Sequence, residues 1–108
     1  GYTNNNPINI INYVPTSSYG QALLEYGSTR IQFNTTCQAT PNNVTYKNST
    51  NIMIDNRSAV AHTVKVNSVY TIPAYGFKII KLSSAILPVQ FLVDCDNSQN
   101  VATILLQK

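Results

Sequence analysis

Side chains that carry chemistry are scarce in this sequence. It has one histidine (His62), two cysteines (Cys37 and Cys95), four carboxylates (Glu25, Asp55, Asp94 and Asp96), one methionine (Met53) and no tryptophan. Enzymes that need several titratable groups in one cleft are therefore disfavoured. Charged residues make up only 10% of the 108 positions, too few for a disordered chain or a coiled coil. No run approaches the roughly 18 apolar residues of a membrane-spanning helix. The net charge of +3 comes from cations scattered along the chain, and no basic stripe with interleaved aromatics exists to hold a nucleic acid. The length suits one domain with a modest core.

The two cysteines have no CxxC spacing, which suggests one disulfide rather than a zinc knuckle. A bond closing the interval from Cys37 to Cys95 would stabilise by about 4 kcal/mol in the chain-entropy model. Such a bond persists outside the cytosol, so the expected location is extracellular, at a cell surface or periplasmic. Gly1 stands where an initiator methionine would be, and the expectation is a processed or trimmed segment whose membrane link, if any, is an anchor outside it. Asn-x-Ser/Thr sequons occur at Asn34, Asn43, Asn48 and Asn56. With 14 Asn and 20 Ser/Thr in the chain, composition alone accounts for most of them. They read first as a product of composition and only second as glycosylation acceptors.

Residues 1–28 differ from the rest. Asn4-Asn5-Asn6-Pro7 signals a turn, Ile8, Ile10 and Ile11 follow as an apolar stretch, and residues 14–18 (VPTSS) break the chain again. Residues 21–26 (QALLEY) are the one credible helical turn, closed by Gly27 and too short to stand alone. This segment reads as an N-terminal extension, either an added strand or a linker. Its isoleucines suit self-assembly by strand addition to a neighbouring subunit. Beyond it, polar and apolar residues alternate in short runs: Ile31 and Phe33, Val44 and Tyr46, Ile52 and Ile54, then His62, Val64 and Val66. Residues 70–72, 77–82, 89–95 and 101–106 continue the pattern, with Val89, Phe91, Val93 and Cys95 on one face. About seven short strands at roughly ten-residue spacing predict an all-β, Greek-key β-sandwich over residues 29–108.

The order of these features resembles the cupredoxin family, the plastocyanin- and azurin-like domains. Strand 30–33 (RIQF) leads to a loop with Pro41 and then to strand 44–47 (VTYK). Residues 48–56 (NSTNIMIDN) look like the family's segment of lysine, glycine, aspartate, apolar strand and asparagine. Residues 61–64 (AHTV) look like the strand that brings the first histidine ligand to copper. Residues 91–95 (FLVDC) look like the strand ending in the copper cysteine, with 100–104 (NVATI) as the last strand.

The departures from that family are as telling. A blue-copper site takes two His and one Cys, with a weak axial Met. This chain has no second histidine, and residues 96–101 (DNSQNV) lack the His and Met that the family pattern places after the cysteine. His62 and Cys95 thus read as vestigial metal-ligand positions. In the family, the loop after the first strand lies at the copper end, so the resemblance implies that Cys37 reaches Cys95 there as a disulfide. The competing reading is a small metal-binding or electron-transfer protein that holds zinc or copper through Cys95, His62 and Cys37.

Other chemistry finds weaker support. A Cys95–His62 nucleophilic pair would need a free thiol, and no glycine-rich oxyanion loop or third orienting group accompanies it. Asp94 and Asp96 straddle Cys95 and are expected on the opposite face of the strand, as a solvated turn rather than an acid/base pair. Seven tyrosines suit a protein or glycan interface as well as strand propensity. The expectation is a non-catalytic, copper-free domain without a cofactor, acting as a structural or interaction module for a protein or cell-surface partner.

Overall fold

The computed structural model describes residues 18–108. The first described element is the helix α1 (Tyr19–Tyr26). Ser18 caps it, its Oγ accepting from the Gln21 N–H at 3.2 Å. The sequence suggested a stop at Gly27, but Gly27 keeps a right-handed helical conformation. The chain tightens there into a 3-10 turn over Gly27–Thr29. Thr29 ends that turn by donating its hydroxyl to the Asn51 carbonyl at 2.7 Å, which fastens the helix to the sheet beneath.

Nine strands follow: β1 (Arg30–Phe33), β2 (Ala39–Thr40), β3 (Asn43–Lys47), β4 (Thr50–Asn56), β5 (His62–Val66), β6 (Ser68–Ile72), β7 (Phe77–Leu82), β8 (Val89–Cys95) and β9 (Ser98–Gln107). They form a four-stranded sheet in the order β2-β1-β4-β7 and a five-stranded sheet in the order β3-β9-β8-β5-β6. Pairs β1–β4 and β3–β9 are parallel, and the remaining pairs are antiparallel. Parallel partners cannot be joined by a tight hairpin, so the chain passes between the sheets and builds a sandwich. Ile31, Phe33, Ile52, Ile54, Ile80 and Leu82 face Val64, Val66, Val93, Ile104 and Leu106 across the core. The alternation that marked β5 in the sequence is seen directly: His62, Val64 and Val66 are buried while Thr63 and Lys65 are exposed. The expectation of about seven strands missed β2, whose two residues are too few to show a period.

The outer face of the four-stranded sheet is not left to water. Asp55, on β4, is completely buried, on the face opposite Ile52 and Ile54. Its Oδ2 accepts from Arg30 Nε and from the Tyr19 hydroxyl, each at 2.7 Å, and its Oδ1 accepts from Arg57 Nε at 2.7 Å. Arg57 lies over the Tyr19 ring at 4.1 Å and also donates to the Tyr75 carbonyl. A buried carboxylate needs this complete set of donors, because an unpaired charge in the interior is costly. The network brings together residues 19, 30, 55 and 57 and pins α1 on β4. Nothing in the sequence set Asp55 apart from an ordinary turn residue.

Candidate functional site

Four segments meet at one end of the sandwich. Cys37 comes from the β1–β2 loop, His62 opens β5, Cys95 closes β8 and Asp96 lies in the turn to β9. Asn34 shapes the first loop: its Oδ1 accepts from the N–H groups of Thr36 and Gln38 at 3.1 and 2.9 Å. The loop places Cys37 in a left-handed conformation (φ 62°), and its Sγ is joined to that of Cys95 in a disulfide with the Cα atoms 5.6 Å apart. Both cysteines are buried. These are the two cysteines that the sequence singled out.

His62 is 1% exposed, and its ring is held at both nitrogens. Nε2 lies 2.8 Å from the Asn34 carbonyl oxygen and 3.2 Å from Ser58 Oγ. A carbonyl only accepts, so Nε2 carries a hydrogen. Nδ1 lies 2.7 Å from Asp96 Oδ2. Asp96 is held below the usual carboxylate range, first by the Thr63 N–H that its Oδ1 accepts at 2.8 Å and then by His62. Nδ1 and the Asp96 carboxylate thus face each other as a hydrogen-bonded pair, which is an ion pair when the ring is protonated. Cys37 Sγ sits 3.6 Å from Nδ1 and 3.5 Å from Asp96 Oδ2. A disulfide sulfur has no proton to give, so these are packing contacts.

The placement of Asp96 corrects the expectation that it would share the outer face with Asp94. A bulge between Val93 and Cys95 interrupts the β8–β9 ladder, strand alternation ends at Cys95, and Asp96 turns left-handed (φ 53°). That turn sends its carboxylate back to His62. Asp94 instead accepts from the Asn100 N–H at 2.9 Å and braces the hairpin. The signal that could have found Asp96 is its position just past a strand, where Asp and Asn tolerate a left-handed turn.

Other predicted residues separate from this site. Met53 is buried on β4, outside the main core cluster and away from the cysteines. Among the sequon residues, Asn34 and Asn43 are exposed and Asn48 is half-buried. Asn56 is buried: its Nδ2 donates among the carbonyls of Val60, Ile72 and Pro73, and its Oδ1 accepts from Ser58. A glycan on Asn56 is incompatible with this packing, because the amide nitrogen is enclosed and its protons are taken. Of the tyrosines, Tyr19, Tyr26, Tyr46 and Tyr70 are half-buried and Tyr75 is exposed. Tyr2, Tyr13 and the isoleucines of the expected assembly arm, Ile8, Ile10 and Ile11, lie outside the described residues.

Two sheets with their parallel pairs, and a Cys/His end between β5 and β8, define a cupredoxin-like sandwich with a degenerate metal site. Among solved structures, the chain is similar to the "Novel Purple Cupredoxin from Nitrosopumilus maritimus", with a TM-score of 0.55 and 10% sequence identity over 73% of this chain and 99% of that chain. At that identity the likeness is one of fold. No family model matches the chain, and no curated protein matches it.

Proposed function

We propose that this cupredoxin-like domain works without copper, as an exported structural or interaction module. The observation that carries the reading is the Cys37–Cys95 disulfide. The cysteine at the end of β8, the strongest soft ligand such a fold offers, has its sulfur in a covalent bond rather than free as a thiolate. His62 supports the same reading, since both ring nitrogens are engaged by Asn34 and Asp96. The sequence contains no second histidine to complete a blue-copper set. Export follows from the disulfide, which the reducing cytosol would open. Among the described residues no helix is long and apolar enough to cross a membrane.

As an interaction module the domain has a protein or cell-surface partner, and residues 1–16 supply a strand to a second copy. The test of the copper-free role is addition of copper to the native protein. We expect no stoichiometric binding and no intense thiolate-to-copper band in the visible spectrum; either one overturns the reading. Deleting residues 1–16 is expected to lower the oligomeric state, and an unchanged mass in solution removes the assembly role.

A further inference from the structure

We propose that Cys37, His62, Cys95 and Asp96 form a redox-gated zinc site, closed as a disulfide and opened by a thiol reductant. The proposal rests on the reading that the native chain holds Cys37 and Cys95 oxidised. One ligand atom from each of the four residues lies within 4.8 Å of the others. The residues come from the β1–β2 loop, from β5, from the end of β8 and from the turn after it, so the fold itself brings them together. The cysteine Cα atoms, 5.6 Å apart, can carry two thiolates at about 2.3 Å from one ion without moving the strands.

The histidine is already oriented for this task. Its Nε2 is anchored on the Asn34 carbonyl, and its Nδ1 faces Asp96 and Cys37 Sγ. An outer hydrogen bond of that kind fixes the ring of a metal-bound histidine. Asp96 is oriented as well, with Oδ1 held by the Thr63 N–H and Oδ2 turned to the cluster. Two sulfurs, one nitrogen and one oxygen make a four-ligand set of the kind zinc takes as a tetrahedron. The thiolates disfavour calcium and magnesium, and the hard carboxylate disfavours Cu(I).

The chemistry balances with a thiol as the reductant. Two thiol molecules become one disulfide, the Cys37–Cys95 bond takes up the two electrons and two protons, and two cysteine thiols result. Zinc then binds the two thiolates and the Nδ1 lone pair, releasing the two thiol protons and, from a protonated ring, the Nδ1 proton as well. A reductant has a route to the bond. An open cavity of about 550 Å³ beside Cys37 is lined by Thr36, Gln38, Thr40, Asn42 and Ser98. Asp96 is 42% exposed at the same end and leaves the ion a path from solvent.

Cobalt(II) is the probe, because its tetrahedral thiolate complexes absorb in the visible. The protein is reduced with a water-soluble phosphine, titrated with cobalt and then with zinc, and compared with the oxidised protein. We expect one cobalt per reduced chain, a thiolate-to-cobalt band that zinc abolishes, and no band from the oxidised chain. His62→Ala and Asp96→Asn should each weaken binding roughly tenfold or more. Zinc should also raise the melting temperature of the reduced protein and leave that of the oxidised protein unchanged, a readout that stands even if reduction loosens the fold. A reduced chain that neither binds cobalt nor gains stability from zinc overturns the site, as does binding indifferent to both substitutions. That failure would leave the copper-free reading intact, whereas two free thiols in the untreated native protein would defeat that reading first.

Discussion

At the scale of single residues, two carboxylates show how much surroundings decide. Asp55 is fully buried between Arg30 and Arg57, whose side chains are themselves only about a quarter exposed. Replacing Asp55 by Ala strands two guanidinium groups, and we expect a loss of about 3 kcal/mol in urea unfolding. Tyr19→Phe keeps the ring under Arg57 but removes two hydrogen bonds, the one donated to Asp55 and the one accepted from Arg30 Nη2 at 3.0 Å, and should cost about 1 to 2 kcal/mol. Asp96 is half-exposed, so solvent screening limits its bridge to His62 to about 1 kcal/mol. Its folded state holds the proton less readily than the unfolded chain does. The stabilisation is therefore complete above the ordinary aspartate value of about 4 and fades as pH falls through the lower folded value. Urea midpoints at pH 7 and pH 3 should show a smaller acid loss in Asp96→Asn than in the parent chain. Neither role could be read from the sequence. Tyr19 is 36 positions from Asp55, and Asp96 is 34 from His62, so both pairings exist only once the strands are in place.

At the scale of elements, alternation carried the reading and irregularity defeated it. β5 could be read because one face of five consecutive residues goes into the core, whereas β2 shows no period and α1 was visible only as QALLEY. The β8–β9 bulge was invisible for the same reason, as was the left-handed turn at Asp96 that sends its carboxylate inward. The loops around the site depend on side chains that stand in for backbone partners. Asn56, at the end of β4, holds the segment that leads to His62 by donating to Val60, Ile72 and Pro73. Asn56→Ala should lose about 2 to 3 kcal/mol, because it leaves buried carbonyls unpaired. The disulfide acts over a longer span, closing a separation of 58 residues between the first loop and β8. The Cys37→Ser/Cys95→Ser double variant should lose about 4 kcal/mol by thermal or urea unfolding.

At the scale of the whole molecule, the sandwich was legible while its use was less so. Strand order along the chain suggested the cupredoxin-like fold, since it survives at 10% identity to a solved cupredoxin. At one end of that frame stand one histidine and two cysteines, and the sulfurs are bonded to each other. We propose that the Cys37–Cys95 disulfide holds that end closed without a metal. The most direct test is alkylation of the untreated protein, unfolded in guanidinium without reductant, followed by intact-mass measurement. We expect no added alkyl groups, and two groups after reduction. Two added groups before reduction would contradict the proposal.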